Sequence, residues 1–174
     1  INMEEISNFL SGKRVMVTGG AGSIGSELSR LISSFPIEQI IVLDSAETPL
    51  HNIQLELTDR EKGKDGFSTE EFNNKFNFVI ADVRDVARIE KVFETYKPQI
   101  VFHAAAYKHV PLMEANPCEA INANVVGSRN VADMAVKYGV EKMVMVSTDK
   151  AVNPTNVMGC SKRLAEIYVQ TLSR

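Results

Sequence analysis

The chain is 174 residues long, 44% hydrophobic and 24% charged, with a formal net charge of −3 and a pI near 5.7. That length holds one domain with a sizeable core, the composition excludes a disordered chain, and the acidic balance leaves no footprint for nucleic-acid binding. Two cysteines, Cys118 and Cys160, make no disulfide framework and no metal-ligand spacing, which points to a reducing, cytoplasmic setting without a metal, and no apolar run reads as a membrane span or signal peptide.

Residues 2–10 read as a short leading helix or arm, broken at Ser11-Gly12. Lys13 to Thr18 is a first strand, apolar enough to be covered on both faces as in a parallel sheet. It runs into Gly19-Gly20-Ala21-Gly22-Ser23-Ile24-Gly25, with glycines at three-residue intervals, and a helix over 23–34 follows with Ile24, Leu28, Leu31 and Ile32 on one face. Strand, glycine turn and helix in that order form a dinucleotide fingerprint. Gly19 serves the tight turn, Gly22 lets the backbone approach a pyrophosphate, and Gly25 lets the helix pack on its strand. The N-terminus of the helix, with Ser23 and Ile24, offers N–H groups to the phosphates.

Gln39 to Leu43 is a second strand ending at Asp44, nineteen positions after Gly25. An acidic residue there suits the two hydroxyls of an adenosine ribose. Ser45-Ala46-Glu47 follow without an arginine, so a 2′-phosphate would meet negative charge and NAD is expected over NADP. A helix over 48–60 and a polar loop over 62–68 come next. Phe76 to Ala81 is a third strand, after which Asp82 and Val83 lie at the adenine edge and Asp85 caps a helix with Ile89, Val92 and Phe93 inside.

Pro98 stops that helix and Gln99 to His103 is the fourth strand. Ala104, Ala105 and Ala106 are small enough to pass close to a cofactor, and His103 reads as structural at a buried strand end. Residues 107–116 are irregular or one short helix; 118–138 reads as one long helix closed by Gly139, and Lys142 to Ser147 is the fifth strand. A last helix spans 156–172 with Leu164, Ile167, Tyr168 and Leu172 on its apolar side. Alternating strands and helices predict an α/β chain, a Rossmann-like doubly wound parallel sheet flanked by helices.

The fifth strand leads into Ser147-Thr148-Asp149-Lys150: hydroxyls, a carboxylate and an amine in succession. Met158 stands ten positions past Thr148, with Lys162 one helical turn further on. That is the spacing of the Ser/Thr…Tyr-x-x-x-Lys set of short-chain dehydrogenases, with methionine in the tyrosine's place. A thioether has no proton to exchange.

The glycine turn, His103 to Pro111, Ser147 to Pro154, Val157-Met158-Gly159 and Ser161-Lys162-Arg163 together carry a resemblance over nearly the whole chain. The chain resembles the nucleotide-sugar branch of the extended short-chain dehydrogenase/reductases, and within it the UDP-N-acetylglucosamine 4,6-dehydratases of bacterial capsule and protein-glycosylation type. The resemblance implies tightly bound NAD and a UDP-sugar converted to its 4-keto-6-deoxy form. Lys150 is implied as the base at C5, Asp149 as the acid at the C6 hydroxyl, Thr148 as the holder of the C4 hydroxyl and Lys162 as the ligand of the nicotinamide ribose. Asp149 and Thr148, assisted by Lys162, are the candidates for the work that Met158 cannot do. Lys108, His109, Asn124 and Thr148 are implied as substrate residues.

The resemblance also implies that residues 1–174 form the NAD-binding domain, with the substrate-binding portion and any N-terminal membrane region, facing the cytoplasm from the inner membrane, outside it. On that footing the chain alone is expected to make no membrane contact and not to turn substrate over. Helices 118–138 and 156–172 are expected to carry a homo-oligomer contact. Two other functions stay open: a nucleotide-sugar 4-epimerase, and a dinucleotide-binding sensor that does no chemistry.

Overall fold

The structure is a computed structural model and describes residues 2–173. Five strands form one parallel sheet: β1 (Arg14–Thr18), β2 (Gln39–Asp44), β3 (Phe76–Ile80), β4 (Ile100–His103) and β5 (Lys142–Met145), in the spatial order β3-β2-β1-β4-β5. The order reverses between β1 and β4, where Thr18 pairs with His103, so the crevice beyond their carboxyl ends is the place for a ligand.

Each strand sends alternate residues to opposite layers. Val15, Val17, Ile40, Val42 and Ile100 pack on α2 (Ser23–Ser33), α3 (Glu47–Lys62) and α4 (Thr69–Lys75). Met16, Ile41, Leu43, Val79 and Val101 pack on α5 (Val86–Tyr96) and α8 (Gly127–Lys137). With both faces covered the inner strands β1, β2 and β4 have no solvent side, which is why they read as unbroken apolar runs, whereas the edge strand β5 alternates exposed and half-buried residues. Around them lie α1 (Met3–Leu10), α6 (Val110–Ala115), α7 (Pro117–Ala120) and α9 (Val157–Thr171). Asn2 caps α1 through its side chain, and Asp85 caps α5 by accepting from Arg88 N–H at 3.0 Å.

The structure differs from the sequence expectations at five places. The helix expected over 118–138 is α7, a π-helical segment Ile121–Val126 and α8 in series, with Gly127 N–H reaching Asn122 O. The fifth strand stops at Met145, two residues early, because Val146 N–H still bonds His103 O but the chain then leaves the ladder. Helix α4 was unforeseen; Ser68 caps it and Phe72 stacks on Phe76 at 4.5 Å between ring centres. On α2 the inward residues are Gly25, Ser29, Ile32 and Ser33, whereas Ile24 and Leu31 are exposed. On α9 the inward residues are Met158, Gly159, Ser161, Lys162 and Ala165; Leu164, Ile167 and Leu172 face outward. Helical spacing identifies an apolar stripe but not whether a neighbouring element lies against it.

Candidate functional site

Two clefts open side by side at the carboxyl ends of the strands, sharing Gly22, Ala104, Ala106 and Tyr107 as a common wall. The first, about 310 Å³, runs from Gly19 and Ala21 past Asp44 to Asp82, Val83 and Arg84. The second, about 290 Å³, is bounded by Ser23, Ile24 and Gly25 on one side and by Thr148, Lys150, Met158 and Lys162 on the other.

The glycine turn is held by sterics that only glycine meets. Gly19 has φ +65°, and a Cβ there would lie 2.5 Å from Ala105 N. A Cβ on Gly25 would collide with the Gly19 carbonyl, so α2 closes directly onto the turn. Gly22 faces open space apart from Gly19 O at 3.3 Å and caps α2 without a side chain, leaving the first N–H groups of that helix free. Lys108 Nζ donates to Ser23 Oγ at 2.7 Å beside those N–H groups. Free amides, a helix N-terminus and an ammonium group suit a pyrophosphate dianion. The turn is therefore a cradle that fits a dinucleotide.

At the far end of the first cleft Asp44 accepts from Ala21 N–H (3.0 Å, Oδ2) and Ala46 N–H (2.9 Å, Oδ1). Each oxygen keeps acceptor capacity for a ribose hydroxyl. Among the described residues Arg84 is the one cation lining this cleft; it is bound by Asp82 at 2.7 Å and by Glu119 at 2.9 Å, which leaves no unpaired cation among those residues for a 2′-phosphate. Arg84 holds the Asp82 carboxylate below its ordinary range, chiefly by hydrogen bonding.

A buried polar chain ties the sheet to α9. Thr18 Oγ1 lies 2.6 Å from His103 Nδ1, His103 Nε2 lies 2.9 Å from Ser128 Oγ, and Ser128 Oγ donates to Asn124 O at 2.6 Å. Asn124 Nδ2 donates to Ser161 Oγ and to Tyr107 O, both at 2.9 Å, while its Oδ1 accepts from Tyr107 N–H at 2.8 Å. Asn124, expected as a substrate residue, is thus fully buried with its amide engaged, and reaches the clefts through its hold on Tyr107. His103, expected as a structural residue, is fully buried with both ring nitrogens in hydrogen bonds; burial, reinforced by the Lys162 cation, pushes its pKa down to about 3.

Lys162 is almost fully buried and donates to Val146 O at 2.8 Å. Burial lowers its pKa, with Glu166 opposing the shift. Glu166 itself accepts from Ser147 Oγ and from Arg163 at 2.9 Å. Met158 is 1% exposed, packed with Met113 and Ala120. The short 3-10 turn Asp149–Ala151 puts Lys150 and Thr148 on the wall of the second cleft and leaves Asp149 outside it, joined to Thr148 Oγ1 at 3.1 Å. His109 also lies outside both walls, as the exposed residue before α6.

Sequence reasoning missed Arg84 and Tyr107. Arg84 stands two positions after Asp82, a spacing that lets an arginine fold back on a carboxylate, and Tyr107 directly follows the alanine run. Among the described residues no helix is long and apolar enough to cross a membrane.

The family model described as polysaccharide biosynthesis protein matches residues 15–174. The probable polysaccharide biosynthesis protein EpsC of Bacillus subtilis is 46% identical over 174 residues, which is 100% of this chain and 28% of that protein. A UDP-glucose 4-epimerase of Rickettsia canadensis is 43% identical over 158 residues, 88% of this chain and 42% of its own. Among solved structures, Pen from Bacillus thuringiensis superposes with a TM-score of 0.83 at 30% identity, covering 94% of this chain and 48% of Pen. WbmG from Bordetella bronchiseptica, solved in complex with NAD and UDP, gives a TM-score of 0.69 at 26% identity, covering 92% of this chain and 50% of its own. The chain spans half or less of each of these proteins.

Proposed function

The chain belongs to the polysaccharide biosynthesis protein family, of short-chain dehydrogenase/reductase type, and from that premise we propose that it is the NAD-binding domain of a nucleotide-sugar 4,6-dehydratase. The substrate we infer is a UDP-N-acetylhexosamine, UDP-N-acetylglucosamine first, and the pathway is bacterial surface-polysaccharide or glycan synthesis. The observation that carries this reading is that Thr148, Lys150 and Lys162 share the wall of a cleft adjoining the dinucleotide cradle, with Asp149 bonded to Thr148 Oγ1 just outside that wall. NAD is supported by Asp44 and by the paired state of Arg84, and by the NAD that WbmG binds.

Gly19, Gly22, Gly25 and Asp44 would hold the dinucleotide, which would supply reversible hydride transfer between C4 and C6 of the hexose. The chain's residues handle the protons. The Thr148 hydroxyl relays the C4 hydroxyl proton to Asp149, to which it is already bonded. Lys150 takes the proton from C5, now acidified by the 4-keto group. Asp149 then passes its proton to the departing C6 hydroxyl, which leaves as water, and Lys150 returns its proton to C5. Each group ends in its starting state, and the net change is loss of one water. Lys162, held on Val146 O, orients the nicotinamide ribose. Acid–base steps of this kind contribute roughly 10²–10⁴-fold each.

The second reading is a 4-epimerase, favoured by the Rickettsia relative. Epimerisation has no use for an Asp149–Lys150 pair. Incubating the full-length protein with UDP-N-acetylglucosamine and identifying the product by NMR separates the two. A 4-keto-6-deoxy sugar supports the dehydratase, a C4 epimer supports the alternative, and cofactor binding without conversion supports a sensor.

A further inference from the structure

We propose that Arg84 is a positioning residue for the adenine end of the first cleft, aiming the Asp82 carboxylate at the base and bracing Tyr107 across the cleft mouth. The inference rests on the dinucleotide reading of that cleft.

Arg84 is anchored in three directions. Its Nε lies 3.0 Å from both Asp82 oxygens and its Nη2 lies 2.7 Å from Oδ2. Its own backbone N–H donates to Asp82 Oδ1 at 2.9 Å. Its Nη1 donates to Glu119 Oε2 on α7 at 2.9 Å, and the guanidinium carbon stands 6.0 Å from the Tyr107 ring centre. One cation therefore joins the end of β3, helix α7 and the wall shared by the two clefts.

The chemistry gives this arrangement a task. An ionised carboxylate accepts hydrogen bonds and donates none. It suits the 6-amino group of adenine and repels the 6-oxo group of hypoxanthine. That choice requires Asp82 to stay ionised and to keep one orientation, and a fork of two guanidinium N–H groups enforces both. The backbone beneath is held separately. Asn130 Nδ2 donates to Val83 O at 3.0 Å and Arg84 O at 3.2 Å, and a Cβ on Gly127 would lie 2.6 Å from Val83 Cγ2. Removing the Arg84 side chain leaves that clamp in place.

The test is titration of the full-length protein with NADH and with reduced nicotinamide hypoxanthine dinucleotide, read by cofactor fluorescence. The native protein is expected to prefer the adenine form about tenfold, the size of one charge-assisted hydrogen bond. Arg84→Ala and Asp82→Asn should each remove most of that preference, the double variant should lose no more than either, and Arg84→Lys should restore only part of it. Thermal unfolding of Arg84→Lys checks that the fold persists. If Asp82→Asn loses the preference while both Arg84 variants keep it, the role given to Arg84 is wrong. If Asp82→Asn keeps it as well, Asp82 does not read the base and the inference falls with it. A native protein that binds neither dinucleotide would overturn the reading of the cleft itself.

Discussion

His103 donates through Nε2 to Ser128 Oγ at 2.9 Å, and the direction of that bond fixes the tautomer of the neutral imidazole. Ser128 spends its proton on Asn124 O, which can only accept, so the hydrogen between His103 and Ser128 belongs to the ring. Burial keeps the ring neutral at pH 7, so Nδ1 carries no proton and accepts from Thr18 Oγ1. Burial holds its pKa at about 3 against an ordinary 6.5. Below about pH 6.5 the unfolded chain takes up a proton that the folded chain refuses, so stability falls on acidification. The loss attributable to His103 is about 2 kcal/mol between pH 7 and pH 5. Urea unfolding at the two pH values measures it. His103→Gln should be less stable at pH 7 and should lack that part of the pH dependence; an unchanged slope would show that His103 titrates normally.

Gly25→Ala should abolish cofactor binding at a modest cost in stability. The added methyl meets the Gly19 carbonyl, a backbone atom that cannot swing aside. Overpacking of this kind costs about 1–3 kcal/mol. NADH titration should show no binding while circular dichroism shows a folded chain. Tight binding by this variant would mean that the phosphates do not lie on the glycine turn.

The backbone path of the glycine turn and the place of Asp44 at the end of β2 were legible in the sequence because both are set locally. A strand, three spaced glycines and a helix start fix a backbone path, and Asp44 closes it through Ala21 N–H. The layers of the sheet were legible for the same reason: β-branched runs between helical periods leave few other folds. Asn124 was not legible as a clamp, because its partners Tyr107 and Ser161 are 17 and 37 residues away. Nor was the inward face of α9. Lys162 and Ser161 are buried there because Val146 O and Asn124 satisfy them, while Leu164, at 50% exposure, faces out. Arg84 was hidden because its partners come from β3 and α7, which only the fold brings together.

Asn124→Ala removes three hydrogen bonds at once and leaves the Tyr107 peptide groups without their partner. A loss of about 2–4 kcal/mol is expected, read as a lower urea midpoint with an unchanged m-value. Ser161→Ala, which loses one of these contacts and keeps the hold on Tyr107, should cost about 1 kcal/mol. Equal losses would show that Tyr107 is fixed by something other than Asn124.

Met158→Tyr in the full-length enzyme should bring no gain in turnover. Met158 is 1% exposed beside Met113 and Ala120, so a tyrosine there overpacks a small core. The account also gives the C4 proton to Thr148 and Asp149, which need no phenol. A large gain in kcat would mean that the methionine site lacks a base and that the proposed relay does not operate.

Lys150→Ala and Asp149→Asn should each cut turnover at least a hundredfold while leaving the NADH dissociation constant within about twofold, since both residues are given proton transfer at the sugar and no hold on the dinucleotide. A variant that loses cofactor affinity in parallel with turnover would place its residue in binding rather than in proton transfer.

The central claim, that hydride leaves C4 and returns to C6, is tested most directly with UDP-N-acetylglucosamine deuterated at C4 and the full-length protein. The account predicts a 4-keto-6-deoxy product carrying the deuterium in its C6 methyl group, formed by the native protein and not by Lys150→Ala. Deuterium recovered at C4 of an inverted sugar, or substrate returned unchanged from protein that holds NAD, would contradict it.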